Sequence, residues 1–243
     1  MRFVVELVLD YKVDLNVNFQ DQNILFYART KTSKDILKLL IENGADINYI
    51  DKSGQSFLYL YLFEGNYDLE MINYLISKNI NLNHIIEDKT YLFLTILNCK
   101  RDKKYYELLE LLLENKADPN LGHNKNYCLA LAINNDDLNI VKMLLKYGAN
   151  PNIIEDEKSY LYKAIEKGNH QLSEILLENK ADPNYLTKKN NSVLMLAVEN
   201  GYIRLVEKLL YYGADKNLKN IRGLTAYDIA LSKKYTEIAN ILK

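Results

Sequence analysis

Residues 112–120 read LLENKADPN, residues 176–184 read LLENKADPN again, and residues 144–152, halfway between them, read LLKYGANPN. A nine-residue identity with a near-copy at its midpoint is a repeat with a period of 32 residues over this stretch. The Asn that closes each copy sets the frame. Followed in both directions it falls on Asn16, Asn48, Asn83, Asn120, Asn152, Asn184 and Asn217, at intervals of 32, 35, 37, 32, 32 and 33 residues. The period is near 33, with two insertions.

Ahead of each Asn lies an apolar stripe at helical spacing, such as Ile140, Val141, Leu144 and Leu145, or Leu205, Val206, Leu209 and Leu210, which puts these side chains on one helix face. Each stripe ends in a stop signal. Gly44, Gly148 and Gly213 supply the left-handed residue that closes a helix at low cost, and Asn79 stands in for them. Lys116 and Lys180 hold the same position, where a left-handed backbone costs about 1 kcal/mol relative to Gly. Pro119, Pro151 and Pro183 each sit one residue before an anchoring Asn and mark the exit from the helix. About seven residues after each Asn a shorter apolar segment begins: SFLYLYLF from Ser56, TYLFLTIL from Thr90, YCLALAI from Tyr127, SYLYKAI from Ser159, SVLMLAV from Ser192 and TAYDIAL from Thr225. Ser or Thr opens five of these six, as a helix N-cap requires, and Asn23 serves the earlier NILFYA. Each repeat therefore reads as turn, short helix, longer helix.

Composition narrows the function classes. With 31 Lys and Arg against 32 Asp and Glu, the net charge of −1 supplies no concentrated basic face of the kind nonspecific nucleic-acid binding needs, so nucleic acid is disfavoured. Cys99 and Cys128 are too few for a disulfide framework or a thiolate metal cage and read as core or half-buried thiols. No stretch approaches 18 consecutive apolar residues, so no membrane span is expected. The N-terminal MRFVVELVLDYKVD carries Glu6 and Asp10 within its apolar run and makes a poor signal peptide, which leaves a cytoplasmic location as the default.

The repeat resembles the ankyrin repeat, a β-turn followed by two antiparallel helices over about 33 residues with T-P-L-H-x-A opening the first helix. The far end of the unit, L-L-x-x-G-A-D-x-N, is matched almost literally at residues 209–217, and D-K-S-G-Q-S at 51–56 and N-I-R-G-L-T at 220–225 look like the family's turn, with Gly54 and Gly223 at its glycine. The resemblance covers the whole chain. It implies an all-α solenoid of helix-turn-helix units with connecting β-turns, as one domain over 1–243: an N-terminal half-repeat at 1–16, units at about 17–48, 49–83, 84–120, 121–152, 153–184 and 185–217, and a capping repeat at 218–243 whose Lys233, Lys234, Glu237 and Lys243 make it polar. The signature His is absent from every unit, its place taken by Phe26, Tyr59, Phe93, Ala130, Tyr162, Met195 and Asp228. In the family that His ties neighbouring turns together, so turns held mostly by packing are expected. Asn66 and Tyr67 lengthen one inter-helix loop and Lys100 to Lys104 the next; these are candidate contact sites or tolerated surface loops. Phe3, Val4 and Val5 have nothing upstream to cover them, so the N-terminus is a half-repeat cap, a self-associating or docking surface, or the remnant of a longer array.

No catalytic constellation emerges. His84, His123 and His170 sit in different repeats, with His84 and His123 in successive turns but without a third ligand, and His170 reads as half-buried packing at the start of a second helix. Glu155, Asp156 and Glu157 read as a solvated charge run, and no phosphate loop, nucleophile elbow or Cys-x-x-Cys pair is present. Most of the 20 tyrosines recur at core-forming phases rather than on a stacking platform. No cofactor, no metal and no enzymatic activity are expected. The resemblance implies instead that a partner protein or peptide docks on a concave face built from the turns and the outer side of the short helices. By repeat phase that face comprises Lys52, Ser53, Gln55, Phe63 and Glu64; Asn124, Asn126, Asn134 and Asn135; Asp156 and Glu157; Lys188, Lys189 and Asn191; and Ile221, Arg222 and Leu224. Phe63 is its one large aromatic and the expected hot spot. Acidic side chains around Asp156 followed by Lys188, Lys189 and Arg222 grade the strip from negative to positive. A monomeric scaffold is the first expectation. A secreted or viral effector that binds a host protein in the host cytoplasm is the alternative, to which an AT-rich codon bias towards Asn, Ile, Lys and Tyr is the only pointer.

Overall fold

A computed structural model describes residues 13–17, 22–31, 33–64, 67–122 and 127–243. Residues 1–12 of the expected N-terminal half-repeat, together with Asn66, His123, Asn124 and Asn126, lie outside them. The chain forms two compact bodies, residues 1–126 and 127–243.

In the N-terminal body the described elements are α1 (Ile24–Lys31), α2 (Lys34–Glu42), α3 (Phe57–Phe63), α4 (Leu69–Ser77), the hairpin β1 (Ile85–Ile86) and β2 (Lys89–Thr90), α5 (Tyr91–Cys99) and α6 (Lys104–Glu114). In the C-terminal body they are α7 (Cys128–Asn134), α8 (Leu138–Lys146), the hairpin β3 (Ile154–Glu155) and β4 (Lys158–Ser159), α9 (Tyr160–Glu166), α10 (His170–Glu178), α11 (Val193–Glu199), α12 (Ile203–Tyr211), α13 (Ala226–Ser232) and α14 (Thr236–Leu242). The helices α1, α5, α7, α9, α11 and α13 each pack against the helix that follows, and α9, α11 and α13 also pack side by side. The stripes point inward. Ile140, Val141, Leu144 and Leu145 are all buried, as are Leu205, Val206 and Leu209, whereas Leu210 at the stripe's edge is only half-buried. A single repeat cannot cover such a face, and stacking its neighbours does. Both cysteines are buried, and neither forms a disulfide.

The capping chemistry is as the sequence spells it. Ser56, Thr90, Ser159, Ser192 and Thr225 each accept a hydrogen bond from the backbone N–H three residues on, and Thr225 adds a capping box in which Asp228 bonds back to the Thr225 N–H. Asn23 accepts from the Leu25 and Phe26 N–H groups. Tyr127, the exception, makes no side-chain cap. At the other end Asn79, Lys116 and Lys180 are left-handed, with φ of 61, 68 and 67°. The next N–H in each case bonds to a carbonyl five residues back, as Ala181 does to Leu176 at 2.9 Å, closing a Schellman turn. The two lysines therefore carry the strain foreseen from their position. Short-helix ends stop in the same way at Asp136, Gly168, Gly201 and Lys234, also left-handed.

Two findings depart from the sequence reading. The turns are stitched by hydrogen bonds rather than held mostly by packing, and the anchoring Asn is the stitch. Asn184 donates from Nδ2 to the Gly213 carbonyl (3.0 Å) and accepts at Oδ1 from the Asp215 N–H (2.7 Å), one repeat ahead. Asn152 treats Lys180 and Asp182 the same way, and Asn16 treats Gly44 and Asp46 likewise. The amide thus satisfies carbonyl and N–H groups that the end of a helix leaves open. Secondly, Tyr91 takes over the missing histidine's task, since its hydroxyl bonds to Ser56 Oγ of the preceding repeat at 2.6 Å.

Candidate protein-binding surface

The turns are built in two ways. Where the sequence has Gly54 or Gly223, a wider turn is closed by a side chain: Asp51 Oδ1 accepts from the Ser53 and Gln55 N–H groups, and Asn220 Oδ1 from those of Arg222 and Leu224. Two turns without glycine are two-residue hairpins with both central residues left-handed, Glu87 and Asp88 (φ 49 and 63°) and Asp156 and Glu157 (φ 51 and 63°), whereas the 187–191 turn keeps the wide form, with Asn190 left-handed (φ 53°) in glycine's place and Thr187 Oγ1 accepting from the Asn191 N–H at 3.2 Å. Both devices hold exposed side chains on a fixed backbone.

Of the predicted strip, Lys52, Ser53, Phe63 and Glu64 lie in the N-terminal body with Gln55. Lys52 and Ser53 are exposed at the turn, and Gln55 is half-buried. Phe63 is half-buried with its ring 5.7 Å from that of Tyr59, and Glu64 pairs with Arg29 at 3.3 Å. In the C-terminal body Asn134 is exposed and Asn135 half-buried, and Asp156, Glu157, Lys188, Lys189 and Arg222 are exposed. Asn191 and Leu224 are half-buried. Three successive tips in this body touch. The Tyr185 hydroxyl donates to the Glu157 carbonyl, the Lys188 ammonium pairs with the Glu157 carboxylate, the Ile221 N–H donates to the Lys189 carbonyl at 3.2 Å, and Asn220 Nδ2 donates to Asn191 Oδ1 at 3.3 Å.

These contacts change the expected charge gradient. Glu157 is neutralised by Lys188, and Glu166 by Lys158 at 2.7 Å. Glu155 does not belong to a solvated run: its side chain is 13% exposed and pairs with Lys163 at 2.6 Å, because the strand position turns it inward. His170 is exposed rather than half-buried, its ring edge-on to Tyr202 at 4.5 Å, since the first turn of α10 faces outward there. His84 is held by a 2.9 Å hydrogen bond to the Gly54 carbonyl. Among the described residues no three His, Cys, Asp or Glu side chains are grouped to hold a metal ion, and no helix is long and apolar enough to cross a membrane. The two insertions meet within the N-terminal body: Lys104 Nζ sits 5.1 Å from the Tyr67 ring centroid and the Tyr105 ring lies 5.6 Å from it.

Sequence reasoning missed an apolar component. Ile50, Ile154 and Leu186, each two residues after an anchoring Asn, are exposed at 43, 59 and 36%. Their common phase was the available signal, overlooked because a lone aliphatic in a turn looks unremarkable until the tips are seen side by side.

Among the described residues, pairs of successive helices follow one another, and Asn16, Asn48, Asn83, Asn152 and Asn184 each accept a hydrogen bond from the repeat that follows. The family model described as ankyrin repeats (3 copies) matches residues 2–86, 31–123, 96–187, 129–220 and 161–243. The chain belongs to the ankyrin repeat family. Two ankyrin repeat proteins of Acanthamoeba polyphaga mimivirus are similar to it, one 27% identical over 149 residues (55% of this chain and 23% of the relative), the other 32% identical over 148 residues (58% and 19%). The chain spans about a fifth of the length of these relatives. Ankyrin repeats are generally protein-interaction modules and typically noncatalytic scaffolds.

Proposed function

We propose that this chain is a noncatalytic scaffold that binds a partner protein or peptide along its turn tips and the adjoining outer side of the short helices. The supporting observation is the register of the repeats within each body: hydrogen bonds accepted by Asn16 and Asn48 in the N-terminal body and by Asn152 and Asn184 in the C-terminal body tie one repeat to the following one, so the backbone that carries the exposed side chains has little ordering cost on binding. The test is affinity capture with mass spectrometry, comparing wild type with a variant carrying Lys188→Ala, Lys189→Ala and Arg222→Ala. Proteins retained by the wild type are expected to be lost from the variant while its thermal melt stays unchanged; retention by both would refute the assigned surface.

A second reading, an effector that binds a host protein in the host cytoplasm, is supported by the mimivirus relatives. Capture from Acanthamoeba lysate is expected to retain a specific protein that lysate of the producing cell does not supply; equal retention from both would refute it.

A further inference from the structure

Charge is unevenly spread along this chain. Residues 185–243 hold ten Lys or Arg against five Asp or Glu, a balance of +5, which leaves −6 for the rest. Of those five acids, Asp228 is turned back into the capping box of α13, Asp215 Oδ1 accepts from the Asn217 N–H, Glu199 is half-buried on α11, and Glu207 and Glu237 lie on α12 and α14, the second helices of their repeats. The tips at 187–191 and 220–224 carry Lys188, Lys189 and Arg222 and no acid. Lys188 takes the Glu157 carboxylate from the preceding tip. Lys189 and Arg222 have no ion-pair partner among the described residues, and Leu186 and Ile221 stand exposed beside them.

We propose that the last two turn tips bind an extended acidic segment of a partner protein, with carboxylates on Lys189 and Arg222 and aliphatic side chains against Leu186 and Ile221. This rests on the scaffold reading and specifies its ligand chemistry. The Glu157–Lys188 pair is an internal example of the contact: one carboxylate from a neighbouring backbone already meets the first cation of the row, and the next two cations are open to the same chemistry. The spacing fits an extended chain. Stacked helices lie about 8–10 Å apart and a strand advances about 3.3 Å per residue, so acids three residues apart reach successive tips. Exposed aliphatic rather than aromatic side chains between the cations favour a peptide over single-stranded nucleic acid, which stacks its bases on aromatic rings.

The probe is a fluorescein-labelled peptide of four Glu-Leu-Ser repeats, titrated with the full chain at low salt and followed by anisotropy. It is expected to bind at least tenfold more tightly than its Gln-Leu-Ser counterpart and at least threefold more tightly than a Glu-Ser-Ser version, and to weaken as salt rises. The variant K189E/R222E is expected to lose at least tenfold, and K142E/K243E, with the same net charge but altered elsewhere in the C-terminal body, to stay within twofold of wild type. Equal losses in the two variants, tighter binding of a twelve-nucleotide oligo(dT), or no peptide binding would overturn the proposal. So would a captured partner that binds K189E/R222E as well as wild type, a result that leaves the scaffold reading standing.

Discussion

Tyr91 and Tyr160 occupy the same position in two repeats, are each 1% exposed, and should respond oppositely to the same substitution. The Tyr91 hydroxyl is bonded to Ser56, the cap of the preceding repeat, at 2.6 Å. The Tyr160 hydroxyl is buried without a partner among the described residues, because the preceding cap position is held by Tyr127, whose side chain makes no cap. A net buried hydrogen bond contributes about 0.5–1.5 kcal/mol, whereas a buried unpaired hydroxyl costs about 1–3 kcal/mol. Tyr91→Phe is therefore expected to destabilise by about 1 kcal/mol and Tyr160→Phe to stabilise by about 1 kcal/mol or more. For a chain of 243 residues each kilocalorie moves the melting temperature by about 2–4 °C. Circular dichroism melts measure the difference, and amide exchange near the start of α9 localises it, since repeat arrays need not unfold in one step. Tyr127→Ser supplies the absent hydroxyl, and in that background Tyr160→Phe should turn destabilising. If Tyr91→Phe and Tyr160→Phe lower stability equally, hydrogen bonding at this phase does not decide the energetics and the reasoning fails.

Asn184→Ala removes both bonds to the following turn and is expected to cost about 1–2 kcal/mol and to speed exchange of the Asp215 amide; unchanged exchange would show that packing alone holds the turn. Alkaline titration tests the buried phenols. Burial pushes Tyr91 up to about 12, against a hydrogen bond from Ser56 that lowers it, and burial also raises Tyr61, Tyr67 and Tyr160. The unfolded chain releases these protons near pH 10 while the native chain retains them, so stability is fully present below about pH 10 and falls as pH rises towards the folded values. The urea midpoint should decline over that window, and a flat profile to pH 11 would contradict the burial.

Much of the array could be read from the sequence because the relevant physics is local. A Ser at residue 56 or 192 caps whichever helix follows it, and the Leu and Val stripes need only helical spacing to find one face. The candidate surface was less accessible. Repeat phase placed Lys188, Lys189 and Arg222 on turns, but not the fact that Glu157 claims the first of them, nor that Glu155 turns inward to Lys163. Those pairings join residues 8 to 31 positions apart, whose separation in space depends on how hairpins and turns fold.

By itself the sequence determined the period, the alternation of short and long helices, their caps and stops, and membership of a repeat family, all consequences of preferences acting within about one turn of helix. Tertiary structure alone decided how one repeat grips the next: that the anchoring Asn clamps the following turn, that Tyr91 replaces a missing histidine while Tyr160 is left without a partner, and which cations stay open to a ligand. A side chain's partner across repeats is fixed by stacking, and stacking is a property of neighbours in space that no single stretch of sequence contains.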